Sequence, residues 1–139
     1  MKPSFVVDCS VIMSWLFDDE QDAYAEAVLD RLRGSAALVP PLCHLEAANA
    51  LLMAERKKRI SRSQASHLMD FLGELPLLTD EEPSASRAGL ILSLGRDHGL
   101  TVYDAAYLEL AARMNLPLAT LDKQLRKAAK SVGLPALPS

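Results

Sequence analysis

Short apolar runs rich in β-prone residues recur along the chain at positions 4–7, 36–39, 77–79 and 118–120, each followed by a stop signal or a polar residue. Between them the apolar positions take on helical spacing. A short apolar helix is predicted over 11–17. A helix over 21–33 places Ala25, Val28, Leu29 and Leu32 on one face and ends at Gly34. The acidic break Asp18-Asp19-Glu20 puts negative charge at the start of that helix, where the helix dipole favours it. Pro40-Pro41 stops the second strand, and a long helix is predicted over 42–59. Ser61 caps the next helix, which reaches about Leu75. Further helices are expected over 84–98, closed by Gly99, over 103–114, closed by Asn115 and Pro117, and over 123–132, closed by Gly133. Residues 134–137 are expected to add an edge strand. Short apolar strands alternating with helices imply an α/β fold, a parallel sheet covered by helices on both faces. Ligands of such sheets gather outside the carboxyl ends of the strands.

With 139 residues, no internal repeat, no low-complexity tract and no Gly/Ser linker, one domain spanning 1–139 is expected. Half of the residues are hydrophobic, which excludes a disordered chain. Aromatics at 5% argue against an all-β sandwich and against a stacking platform for single strands. A net charge of −3 is not that of a protein holding nucleic acid by bulk charge, so RNA contact requires a local basic patch, a metal or a partner. Cys9 and Cys43 sit among apolar neighbours and form no C-x-x-C, so buried thiols in a reducing compartment are expected. The apolar run before Asp8 is too short for a signal-peptide core, and no segment approaches the ~20 apolar residues of a membrane span. The expected location is the cytoplasm.

On this scaffold the acidic residues fall at informative places. Asp8 ends the first strand, and Asp122 lies just past the last. Asp104 stands in the first turn of a helix, and Glu46 near the start of the long one. Each has a structural alternative. Asp104 fits a capping box with Thr101, Asp122 an N-cap, and Asp8 a turn at a strand end. Glu46 is harder to explain so: it lies in an otherwise apolar stretch with no Arg or Lys within one turn, and burying an unpartnered carboxylate is costly. Asn49, three residues on, shares its face. Carboxylates converging on one site repel each other unless a cation is present. Mg²⁺ and Mn²⁺ prefer oxygen ligands, and such sites suit phosphodiester hydrolysis.

Four segments then carry a resemblance. Val6-Val7-Asp8-Cys9-Ser10-Val11 resembles the opening Asp-x-Ser/Thr element of PIN domains. The run from Pro40-Pro41 through Glu46-Ala47-Ala48-Asn49 resembles the Pro…Glu-x-x-Asn helix of VapC-type members. Leu100-Thr101-Val102-Tyr103-Asp104-Ala105-Ala106-Tyr107 is similar to the third acidic element, and Leu118-Ala119-Thr120-Leu121-Asp122 to the closing Thr-x-Asp. Order and spacing hold over essentially the whole chain. The resemblance implies a PIN-like three-layer α/β/α fold with a short central parallel sheet flanked by helices. It implies an Mg²⁺- or Mn²⁺-dependent endoribonuclease acting on RNA, the toxin of a pair with a VapB-like antitoxin, and a homodimer. Carried over by position, Asp8, Glu46, Asp104 and Asp122 form the catalytic and metal-binding quartet. Ser10 and Thr120 are the orienting hydroxyls, and Asn49 a supporting residue. Cys9 stands where Ala is more usual in the family.

Other constellations add less. His44-x-Glu46 opens like a zinc deaminase signature, but the later Pro-Cys-x-x-Cys is missing. A haloacid-type phosphatase needs an Asp where Ser10 stands, and a receiver domain needs a further acidic residue beside Asp8. A catalytically dead scaffold that only binds a partner is the alternative from another class, and the complete quartet argues against it. Arg56, Lys57, Lys58, Arg59 and Arg62 form the densest basic run, read either as RNA-backbone contacts or as a solvated helix end. Lys123, Arg126, Lys127 and Lys130 follow Asp122 and are positioned either to line the mouth of the site or to form a solvated face. Trp15, Leu16 and Phe17 are read as core, part of it available to a dimer or antitoxin groove.

Overall fold

The computed structural model describes residues 2–137. Met1, Pro138 and Ser139, the ends of the expected domain span, lie outside them. The chain runs β1 (Pro3–Val7), α1 (Cys9–Leu16), a 3-10 turn (Asp18–Glu20), α2 (Ala23–Arg31), β2 (Ala36–Val39), α3 (Leu42–Arg56), α4 (Arg62–Glu74), β3 (Leu77–Thr79), α5 (Ser84–His98), α6 (Val102–Met114), β4 (Leu118–Ala119) and α7 (Lys123–Ser131). The four strands form one sheet in the order β3-β2-β1-β4, with every pairing parallel. Phe5, Val6 and Val7 are consecutive and all buried, as are all four residues of β2. Neighbouring strand residues face opposite ways, so both faces of the sheet are covered, as a parallel sheet requires. The helices pack as two groups. Helix α1 contacts α2 and α3, and α3 contacts α4, while α6 contacts α5, α7, β1 and β4. This is the α/β/α arrangement expected from the alternation of strands and helices.

Sheet order fixes where a ligand edge can form. After β1 the chain moves to one side, to β2 and then β3, and only at the end returns to the other side as β4. The carboxyl ends of β1 and β4 therefore meet where the strand order reverses, the usual location of a crevice in open parallel sheets.

Several boundaries differ from the sequence reading, among them the start of α1, which Asp8 caps so that the helix opens at Cys9 instead of residue 11. Residues 134–137 form no strand. Gly133 turns left-handed at φ 76°, and the Leu134 N–H donates to the Ala129 carbonyl at 3.1 Å, so this segment closes α7 instead of pairing with the sheet. Helix α3 stops at Arg56, short of Arg59. Lys58 adopts the left-handed conformation at φ 60°, and the Arg59 N–H donates to Ala54. A lysine gives no such stop signal in sequence, where glycine would. Helix α2 begins at Ala23, with the Asp22 carboxylate accepting the Ala25 N–H at 3.1 Å, because Asp18–Glu20 has its own tight turn. The expected cap at Ser61 is a full reciprocal box with Gln64. Leu16 and Phe17 are buried in the core. Trp15 packs against it and donates its indole N–H to the Ala25 carbonyl at 2.7 Å. Both cysteines are free thiols.

Candidate active site

Asp8 emerges from β1 with its backbone N–H on the Ala119 carbonyl of β4, 3.1 Å away. Its carboxylate is 3% exposed and fully engaged. Ser10 donates to Oδ1 at 2.5 Å, Thr120 donates to Oδ2 at 2.6 Å, and the Val11 N–H points at Oδ1 from 3.4 Å, so Asp8 also caps α1. The two hydroxyls work in both directions. The Ser10 oxygen accepts the Leu121 N–H at 2.9 Å, and the Thr120 oxygen accepts the Asp122 N–H at 3.0 Å. Side chains 112 residues apart thus clamp the end of β1 to the turn after β4. Arg126 reinforces that turn. Its guanidinium donates to the Thr120 carbonyl at 2.6 Å and lies 5.1 Å over the Tyr24 ring.

The other acidic residues approach from helix ends. Asp122 accepts the Leu125 N–H at 2.9 Å and caps α7. Asp104 lies in the first turn of α6, where Thr101 accepts its N–H at 3.1 Å. The return bond of a full capping box is not present among the described residues, so capping does not occupy the Asp104 carboxylate. Glu46 projects from α3, half-buried, and its Oε1 accepts the Tyr107 hydroxyl at 2.6 Å. Both oxygens of Asp8 are therefore fixed, one oxygen of Glu46 is fixed, and Asp104 is the most loosely held.

The four carboxylates share one electrostatic field. Burial pushes Asp8 above the ordinary carboxylate range, against the opposing bonds from Ser10, Thr120 and Val11, and the charge of Asp104 adds to the rise. Glu46 is likewise raised by burial, which outweighs its bond to Tyr107, with Asp104 and Asp8 adding repulsion. Asp104 is raised by burial and by Asp122, against its contact with Thr101. Each carboxylate thus repels at least one of the others. Anions held close at a cost are the condition a dication relieves. Among the described residues no three His, Cys, Asp or Glu side chains stand close enough to hold one ion directly. The donor set fits a hard, hydrated cation that takes one or two carboxylates directly and reaches the rest through water.

The basic residues divide. Lys123 is exposed in the first turn of α7, directly after Asp122. Arg56 and Lys57 are exposed at the far end of α3, ten and eleven residues along from Glu46, or about 15 Å. Arg59 is occupied by Asp19 at 3.0 Å, Glu20 at 3.3 Å and the Phe17 ring at 4.7 Å. Asn49 is exposed one turn beyond Glu46 and makes no side-chain hydrogen bond among the described residues. A groove of about 650 Å³ lies away from the four carboxylates, lined by Leu16, Phe17 and Arg59 and by His67 and Leu68 of α4. Its lining holds Asp18, Asp19 and His67, with Asp19 already paired to Arg59, and none of the four carboxylates.

The PIN domain sequence profile matches residues 5–131. The chain belongs to the PIN domain family. This PIN domain is 32% identical over 120 residues to Ribonuclease VapC3 of Pyrobaculum aerophilum, covering 86% of this chain and 90% of that protein. It is also 32% identical over 130 residues to Ribonuclease VapC1 of Mycobacterium tuberculosis, covering 94% and 92%. Among solved structures it superposes on PAE2754 from Pyrobaculum aerophilum with a TM-score of 0.72 at 25% identity, over 94% of this chain and 89% of that one. FitAcB from Neisseria gonorrhoeae shares the PIN fold with a TM-score of 0.63 at 20% identity, over 91% and 93%.

One residue of this PIN domain escaped the sequence reading, and a second has contacts that reading did not foresee. Tyr107 sits three positions after Asp104 in the Asp-Ala-Ala-Tyr run and reads as a core aromatic. Its hydroxyl, not its ring, links it to the site. Arg126, expected at the mouth of the site or on a solvated face, holds the Thr120 carbonyl and lies over the Tyr24 ring. The only available signal was its position four residues after Asp122, one turn along the same helix face.

Proposed function

We propose that this PIN domain is a divalent-metal-dependent endoribonuclease, the toxin of a VapBC-type toxin–antitoxin pair. The observation that carries the reading is the set of four mutually repelling carboxylates at the β1–β4 edge, in a chain whose relatives are named as VapC ribonucleases. Asp8, Glu46, Asp104 and Asp122 would hold Mg²⁺ or Mn²⁺ in part through water. A bound ion of this kind supplies a water acidic enough to attack a phosphodiester and positive charge for the departing oxygen. Ser10 and Thr120 keep both oxygens of Asp8 in place, and Arg126 keeps the Thr120 backbone in place. Asn49 supports the site from the turn after Glu46. Lys123 contacts the RNA backbone at the mouth, Arg126 on the next turn adds a second cation there, and Arg56 and Lys57 extend the track along α3. The partner is a VapB-like antitoxin. The working unit is a single-domain chain in a cytoplasmic homodimer, for which light scattering should return the mass of two chains. No helix among the described residues is long and apolar enough to cross a membrane.

The test is cleavage of total RNA by purified protein with Mg²⁺, with Mn²⁺ and in excess chelator. Cleavage is expected with either metal and absent with chelator. Asp104→Asn should slow it by ~10²–10³-fold, by analogy with loss of one charge-stabilising contact. Because Asn retains size and one acceptor, its melting point should fall by no more than ~1 kcal/mol of stability implies. Undiminished cleavage in chelator refutes the metal requirement. An unchanged rate in Asp104→Asn removes that residue from the quartet.

A further inference from the structure

Tyr107 is one of the largest fully buried side chains, 1% exposed, yet its hydroxyl does not end in the core. It reaches from α6 to α3, 61 residues away, and donates to Oε1 of Glu46 at 2.6 Å. The Cys43 thiol, one turn before Glu46 on α3, lies against the same phenol. Phenylalanine would fill this ring site equally well, so the hydroxyl has no packing role. It serves the carboxylate. Helix α6 therefore brings two groups to the cleft: Asp104 in its first turn, and three residues on the donor that fixes Glu46.

We propose that Tyr107 is a positioning residue: its hydroxyl pins Oε1 of Glu46 and leaves Oε2 as the oxygen offered to a divalent cation at the carboxylate cluster. Glu46 has no other side-chain hydrogen-bond partner among the described residues, and it projects from a helix with several rotatable bonds. Without the phenol, both its oxygens rotate freely and the carboxylate samples solvent. Groups that orient a ligand from behind commonly change metal affinity by ~10–100-fold. This inference rests on the metal-dependent reading above and extends it to a residue that touches neither ion nor RNA.

The experiment uses Tyr107→Phe in the full chain, titrated with Mn²⁺ by calorimetry beside the wild type, with melting points of both metal-free proteins. Tyr107→Phe is expected to bind Mn²⁺ about 10-fold more weakly and to lose kcat with little change in KM for RNA. Leu110→Val, a core truncation on the same helix, controls for general loosening: its melting point should fall while Mn²⁺ affinity holds. Wild-type affinity in Tyr107→Phe overturns the inference and leaves the metal reading intact. An equal affinity loss in Leu110→Val overturns it as well, since packing alone then explains the effect. If the wild type binds no Mn²⁺, the metal reading and this inference fall together.

Discussion

Three tasks fall on the carboxylate of Asp8: it caps α1, it ties β1 to the turn after β4 through Ser10 and Thr120, and it contributes charge to the cluster. The first two use its oxygens as acceptors, Oδ1 for Val11 and Ser10 and Oδ2 for Thr120, of which an amide keeps one. The third is unfavourable in the metal-free fold. Because burial, chiefly, raises the folded pKa of Asp8 above its unfolded value, its contribution to stability is complete below the unfolded pKa. That contribution is lost as pH rises through the folded value. Asp8→Asn keeps the cap without the charge. In metal-free protein its melting point should therefore rise relative to the wild type as pH goes from below about 4 to neutrality. Thermal melts across that range check both the sign and the window. A variant that melts lower at neutral pH would mean that its acceptor geometry matters more than its charge. At this scale the sequence was informative about where the four carboxylates stand on their elements, because strand ends and helix starts are marked by local pattern. It was silent on their partners. Nothing near Glu46 in the chain points to Tyr107, and nothing near Thr120 shows that Arg126 holds its carbonyl, because both links depend on packing between elements.

Helix α6 shows what pattern alone can and cannot determine about an element. Its limits were legible from Thr101 and Asn115, and Asn115 does take the left-handed closing conformation at φ 53°. Its buried charge was not. Glu109, 4% exposed by side chain, receives Arg113 at 3.0 Å and Arg87 of α5 at 2.6 Å, and Arg113 also reaches Asp80 after β3 at 2.6 Å. The network joins α5, α6 and the end of the β3 edge strand. Burial alone would raise the Glu109 carboxyl, but the bonds from Arg113 and Arg87 outweigh it and hold the group below its usual value. Removing one partner strands buried charge, so Arg113→Ala should cost ~3 kcal/mol in urea unfolding at neutral pH. A depressed carboxylate contributes stability above its unfolded pKa of about 4.3 and loses it as pH falls through the lower folded value. The deficit of Arg113→Ala should accordingly shrink in acid. A deficit that stays constant with pH would show that the arginine matters through its packing. The expected strand over 134–137 failed for the opposite reason. Its apolar residues resemble a strand, but Gly133 commits Leu134 to closing α7 before any pairing can begin. Leu134 and Leu137 pack against the core without joining the sheet.

Across the whole molecule a net charge of −3 leaves little general attraction for a polyanion. Some of the basic residues are already engaged, Arg59 by Asp19 and Glu20, and Arg87 and Arg113 by Glu109. RNA affinity should depend on a few cations and weaken only shallowly with salt. Lys123→Ala should raise KM for RNA with little change in kcat, and lower the log–log salt slope of binding by about one unit. Filter binding in an inactive background at several salt concentrations measures it, and an unchanged slope removes Lys123 from the RNA track. Fold class was readable at this scale because alternating strands and helices permit few arrangements. The strand order was not, since no local signal says that the last strand passes to the far side of the first. That order carries a consequence for how the protein is made. A ribosome delivers Asp8 more than a hundred residues before Thr120, Asp122 and the strand that seats them. A chain stalled or terminated before β4 carries Asp8 without the hydroxyl of Thr120 that holds it and without Asp122. Activity against RNA would then begin only once β4 and the turn after it have been made, and a product that ends before them would be harmless to the cell that made it.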